Sequence, residues 1–307
     1  MGIHKHTEIF QGKPVTNYDK SIGIADSINT VYRLWSDYDA EEDTLALLEH
    51  FLADPNAMKV TSLIIGVWSY ESESNQPLVE LLTSSSHKLP NLSALFLGDI
   101  IEEEAQISWI VQSNLSAMLQ AYPQLEYLQL KGNDGLSFGE IKLDRLKTLI
   151  IETGGLSLSV VQEIFQAQLP VLEHLELWLG TPNYGGDVTS EDLTPLLAGS
   201  LFLQLNYLGL RDSEIADQLA VAVADAPIVQ RLKTLDLSLG NMGDIGATAL
   251  LKSPLINHLE KLDLHHHYIS AELAKKLADL SIIVNIDEQQ KADVYDGEEY
   301  RYIAVSE

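Results

Sequence analysis

The stretch 232-LKTLDLSLGNMGDIGATALLKSPLINHLEKLDL-264 begins and ends on the same six-residue pattern, L-x-x-L-x-L. The two copies start 27 residues apart. Leu-x-Leu alternation is the period of a strand with one buried face. Between the copies, 244-DIGATALLKSP-254 predicts a helix with Ile245, Ala249 and Leu250 on its inner face. Asp244 is its expected N-cap and Pro254 its stop. One unit is therefore a strand, a turn, a helix and a return.

The same pattern recurs along the chain as 92-LSALFL-97, 125-LEYLQL-130, 146-LKTLII-151, 172-LEHLEL-177 and 205-LNYLGL-210, with a weaker copy at 60-VTSLII-65. Start-to-start steps run 32, 33, 21, 26, 33, 27 and 27 residues. Eight units near this period predict an α/β leucine-rich-repeat solenoid, a horseshoe with a parallel concave sheet and convex helices. No unit can bury its apolar face alone, so neighbours supply one another's core. Further helices are expected over 214–227, with Ile215, Leu219 and Val223 inward, and over about 113–121, before Pro123. Strand plus helix in each unit indicates the long, ribonuclease-inhibitor-like class. The 21-residue step leaves 131–140 as loop, and 180-GTPNYGGD-187 is a glycine- and proline-rich turn projecting past the rim.

Repeats 60–286 need caps at both ends. Residues 1–59 are expected to supply one, with a strand near 31-VYRLWS-36 and a helix in 42-EDTLALLEHFLAD-54. At the other end 281-SIIVNID-287 reads as a last strand. Residues 287–307 read as an acidic tail whose YRYIAV segment folds back as a strand. The expectation is one domain and a monomer.

Composition narrows the function classes. With 45 acids against 19 bases the formal charge is −26, which disfavours nucleic acid and anionic membrane as partners. Without cysteine there is no disulfide, thiolate metal site or cysteine nucleophile, which fits a reducing cytoplasm. No secretory signal or membrane-length apolar run stands out. Met1-Gly2 lacks the Ser or Thr that myristoylation prefers at position 6, where His6 stands.

Counting within a unit, positions 4 and 6 point inward and positions 3, 5 and 7 face the concave sheet. Position 5 reads Ile64, Phe96, Gln129, Ile150, Glu176, Gly209, Asp236, Asp263. Position 7 reads Gly66, Gly98, Lys131, Glu152, Trp178, Arg211, Ser238, His265. The C-terminal half thus gathers charge around one large aromatic. Trp178 between Glu152 and Arg211, together with Glu176, Asp236, Asp263, His265 and Tyr184 of the projecting loop, is the expected partner-binding set. Packing of Trp178 under the 180–187 loop is the competing reading. Asp236 and Asp263 fall side by side in one column, which needs a cation, a basic partner or a raised pKa. With His265 they are weak candidates for a metal site or an acid–base group. Lys261 on the same strand could neutralise them instead.

No H-E-x-x-H, P-loop, G-x-S-x-G or EF-hand pattern is present. No cofactor and no catalytic residue is expected. Gly154-Gly155 reads as a turn before it reads as an anion site, and Trp109 as either core or rim contact. In 262-LDLHHHYIS-270 the register separates the three rings. His265 faces the concave sheet and His266 sits at the strand end. His267, in the slot held by Asn133 and Ser213 elsewhere, is expected to bond the turn backbone.

The segments 95-LFLGDI-100, 107-ISWIVQS-113, 151-IETGG-155, 177-LWLGTPNYGGD-187 and 262-LDLHHHY-268 resemble those of bacterial leucine-rich-repeat proteins of ribonuclease-inhibitor type, closest to one uncharacterised subfamily. The resemblance implies a non-enzymatic scaffold gripping a protein partner in its concave face. The alternative is a metal-assisted hydrolase or metal-dependent regulator centred on Asp236, Asp263 and His265.

Overall fold

The computed structural model describes residues 4–305, so Met1-Gly2 and the last two residues of the tail lie outside the described residues. Two compact units emerge. The first runs to Glu152 and includes Gln166–Pro170; the second takes Thr153–Phe165 and the chain from Val171 onward.

In the first unit β1 (Ile9–Phe10) and β2 (Lys13–Asn17) pair antiparallel. Gln11 and Gly12 between them both sit at positive φ, as a two-residue hairpin turn demands. Neither strand was expected from the repeat pattern. β2 pairs in parallel with β3 (Val31–Leu34). Then β4 (Ser62–Ile65), β5 (Ala94–Leu97), β6 (Tyr127–Lys131) and β7 (Thr148–Glu152) follow in chain order, all parallel. The register sets Leu63, Leu95, Leu128 and Leu149 in one buried row. The motif spacing therefore does determine which side chains enter the core. Helix α1 (Thr44–Ala53) is capped by the Asp43 side chain, which accepts from Ala46 N. Helices α2 (Gln76–Ser84) and α3 (Ser116–Ala121) follow β4 and β5, α3 beginning later than the pattern suggested. Residues 132–147 carry no helix, as the 21-residue step requires.

The second unit opens with α4 (Leu158–Phe165) and continues with β8 (His174–Gly180), α5 (Thr194–Leu197), β9 (Tyr207–Ser213), α6 (Ala216–Ala224) and β10 (Thr234–Asp236). It goes on through α7 (Asp244–Lys252), β11 (Lys261–Asp263), α8 (Ala271–Ala278) and β12 (Ile283–Asn285). β8 to β12 pair in parallel in chain order, aligning Leu175, Leu208, Leu235, Leu262 and Val284.

Helix α7 corrects one expectation. Asp244 is its first residue and Gly243 the cap; the Asp244 carboxylate instead accepts from Ser270 N. Ile245 is 69% exposed, and the buried face is Gly246, Ala247 and Leu250. A Cβ on Gly246 would meet Asp217 Oδ1 at 2.8 Å and Ala220 Cβ at 2.9 Å, so α7 presents its glycine to α6 and turns Ile245 outward. The acidic tail also differs from expectation. β13 (Asp293–Tyr295) and β14 (Glu298–Tyr300) form an exposed antiparallel hairpin. The chain then returns without forming a strand: Ile303 and Val305 are buried, Ala304 N donates to Leu239 O and Val305 N to Asp212 Oδ1. Among the described residues no helix is long and apolar enough to cross a membrane.

Candidate functional site

Parallel pairing in the second unit stacks position 5 as Glu176, Gly209, Asp236, Asp263 and sets position 7 as Trp178 beside Arg211. Glycine at 209 leaves room between two carboxylates. A Cβ there would press on Glu176 Cγ at 3.1 Å and the Tyr207 ring at 3.2 Å. Into that gap come long side chains from both neighbours. Glu176 Oε1 accepts from Arg211 Nη1 at 2.7 Å and from Trp178 Nε1 at 2.8 Å. Arg211 Nε donates to Ser238 Oγ at 2.9 Å and stands 3.4 Å from Asp236 Oδ2. Its guanidinium carbon lies 5.2 Å from the Trp178 ring centre, in cation–π range. The Tyr207 hydroxyl donates to Asp236 Oδ2 at 2.7 Å and reaches Glu176 Oε2 at 3.3 Å.

These groups hold one another's charge states. Burial opposes ionisation of Glu176, but the His174 ring nitrogen 3.5 Å away, the Arg211 charge and the Trp178 donor bring its pKa down to about 2. Burial opposes the Arg211 charge too, yet Glu176 and Asp236 raise its pKa further above the ordinary guanidinium range. Burial and then the same two carboxylates push the Tyr207 phenol far up, so it stays a donor.

Of the expected partner-binding side chains, Glu176, Trp178, Arg211 and Asp236 are brought together, and these four are little exposed. Trp178 is 2% exposed, and Arg211, Glu176, Asp236 and Asp263 are all buried. Strand alternation places them on the face; their own length and mutual attraction then close them over one another. The half-exposed groups here are His265 at position 7 and the side chains at position 3. His174 and Tyr207 stack with ring centres 3.7 Å apart and 7° between planes. The repeats carry this signal in their position 3 column, Tyr127, Thr148, His174, Tyr207, Thr234 and Lys261.

Asp236 and Asp263 pair in register, but each has its own neutralising partners. Asp263 takes Lys261 Nζ at 2.7 Å and His265 Nδ1 at 2.7 Å. Burial resists its ionisation, yet these two bonds carry its pKa below the usual carboxylate range. Among the described residues no group of three or more His, Asp or Glu side chains is placed to hold a metal ion. Glu152 belongs to the first unit, where its Oε1 accepts from Gln129 Nε2 at 2.6 Å and its Oε2 lies 3.6 Å from Lys131 Nζ. Tyr184 is half-exposed on a single 3-10 turn, Pro182–Tyr184. Gly154-Gly155 is a packing turn, since a Cβ on Gly180 would strike Gly154 O at 1.9 Å and one on Gly155 would strike Tyr184 O at 2.4 Å.

The three histidines separate as the register indicates. His267, 1% exposed, accepts from Ile269 N on Nδ1 at 3.1 Å, so Nε2 carries the proton donated to Ile286 O at 3.1 Å. His266 adopts φ of 58° at the strand end, with Nδ1 3.3 Å from Gly240 O.

A solved structure of a protein from Bacteroides fragilis is similar to this chain at TM-score 0.82 and 31% identity, covering 90% of this chain and 77% of that one. An internalin C2 from Listeria monocytogenes reaches TM-score 0.40 at 18% identity, over 75% of this chain and 82% of its own. A second Listeria monocytogenes internalin reaches 0.32 at 14%, over 87% and 79%. No family model matches the sequence, and no curated protein matches it.

Proposed function

The chain belongs to the same family as the Bacteroides fragilis protein, and we propose that it is a non-enzymatic leucine-rich-repeat scaffold that binds a protein partner on its strand face. A ribonuclease-inhibitor-like class is supported by strands followed by nine-residue helices of about two and a half turns, such as α6 and α7. The observation that carries the function is the internally neutralised network of Glu176, Arg211, Tyr207 and Asp236 beneath the stacked His174–Tyr207 pair. Bound carboxylates and a bound guanidinium leave no free charge to desolvate when a partner lands. The stacked rings offer a flat aromatic surface already ordered before binding, which lowers the entropic cost of association. Lys261 and His265 border this surface as its hydrogen-bonding edge.

A photo-crosslinking residue at Thr234, between Tyr207 and Lys261 in the position 3 column, tests the face directly. In cells it should label one protein band that the same residue at Ile245, exposed on α7, does not label. Equal labelling from both sites, or none from Thr234, would remove the proposal.

A further inference from the structure

The first unit holds a second concentration of chemistry, on different residues from the strand face. Three of the chain's four tryptophans, Trp35, Trp68 and Trp109, lie in the segments that follow β3, β4 and β5. The same segments carry five acids over 37–43, two over 71–73 and four over 99–104, with no lysine or arginine among residues 35–44, 66–76 or 98–112. The segments after β4 and β5 line a cleft of about 270 Å³. Its aromatic wall is Trp68, Tyr70 and Trp109, and its acidic wall is Glu73, Glu102 and Glu104.

The walls are fixed in place. Trp68 Nε1 donates to Glu73 O at 3.0 Å, and the Tyr70 hydroxyl to Ser36 O at 3.1 Å. Val67, Ile100 and Ile110 form an apolar cluster beneath Trp35, Trp68 and Tyr70. Gly66 is the only residue type that admits Trp35, since a Cβ would meet its ring at 2.9 Å. Glu104 is ordered by Trp35 Nε1, by Ile101 N at 3.0 Å and by His6 Nε2 at 3.1 Å; Glu102 meets His4 at 2.8 Å. Burial and then Glu104 push the Tyr70 phenol up to about 12, which keeps it protonated beside these acids. Trp109, by contrast, is 59% exposed, a large ring left open to water over a cavity.

Aromatic faces and carboxylates around one small cavity are complementary to a single ligand class: a cation with an apolar or planar body. A volume of this size suits one long side chain rather than a cofactor. We propose that this cleft receives an arginine side chain presented by an extended segment of a protein partner, its guanidinium stacked on Trp109 and its charge met by Glu73 and Glu102. Arginine suits it better than lysine because a planar, weakly hydrated guanidinium stacks on a ring while donating in its plane.

The probe is a capped Gly/Ser peptide carrying two arginines, titrated calorimetrically at about physiological salt, where surface charges are screened beyond ~8 Å. A citrulline version keeps the shape and removes the charge. The arginine peptide should bind and the citrulline peptide should not. Trp109→Ala, at an exposed site and with no change of charge, should weaken binding about tenfold with an unchanged melting curve. Glu73→Gln with Glu102→Gln should weaken it at least as much. Glu140→Gln with Glu173→Gln, an equal loss of charge elsewhere, should leave it intact. Equal losses in both glutamate pairs, an unaffected Trp109→Ala variant, or no binding would overturn the proposal. So would binding of tetramethylammonium without binding of the peptide.

Discussion

Arg211 is the residue on which most of the strand face depends, because one guanidinium serves Glu176, Asp236 and Ser238. Arg211→Met should keep the volume but strand a buried carboxylate, costing about 3–5 kcal/mol in urea unfolding. Adding Glu176→Gln should recover part of that loss, since the buried charge is then gone. The Glu176 pKa works the other way with acid. Its folded value is depressed to about 2 from 4.5, so its stabilisation is present above pH 4.5 and is lost as pH falls towards 2. His267 sets an earlier limit. Burial lowers its pKa below 6.5, so the unfolded chain takes up the proton first and stability declines as pH drops below 6.5. His267→Asn, which can still accept from Ile269 N, should flatten the dependence of melting temperature on pH between 6.5 and 5. An unchanged slope would assign the dependence to another group. His267 was legible because register alone placed its ring at the turn. Trp178 was legible as to face but not as to exposure: alternation tells where a side chain points, not what its neighbours lay over it.

Among the secondary-structure elements, strands are more legible in the sequence than helices. Leucine at positions 4 and 6 is a direct record of burial, and β4 to β11 follow it. A helix face depends on how closely the next helix comes, which is why Gly246 rather than Ile245 turned inward on α7. The returning segment after β14 was only half legible, since its apolar residues show that it docks but not how. Its anchor is Asp212, buried at φ of 49° with one oxygen accepting from Val305 N. Burial raises the Asp212 pKa well above the ordinary value, so a charged Asp212 weakens the fold as pH rises. Asp212→Asn keeps the acceptor and tolerates positive φ. It should stabilise the protein by about 1 kcal/mol or more at pH 8, with a smaller gain at pH 5, in paired denaturation curves. Removing residues 303–307 should do the reverse. Uncovering Ile303 and Val305 should cost about 2–4 kcal/mol.

For the molecule as a whole, the −26 formal charge is the dominant long-range term. Repulsion among exposed acids opposes the compact state, and added salt relieves it as the screening length falls from ~30 Å at 0.01 M to ~3 Å at 1 M. The melting temperature should therefore climb with sodium chloride over that range and then level off. Composition predicts that much without a structure. What it does not show is that the acids crowd the loops after β3, β4 and β5, where Glu71 and Glu103 are exposed with no base within those segments. Glu71→Lys with Glu103→Lys should accordingly raise the melting temperature more at 0.01 M salt than the same reversal at Glu140 and Glu173. The advantage should vanish near 0.5 M. Were the two pairs equivalent at low salt, the charge would be acting as a diffuse field, and the loops would hold no special strain. A larger gain for the loop pair means the fold bears a concentrated repulsion that a bound cation would relieve, so arginine-peptide binding should itself raise the melting temperature, and most at low salt.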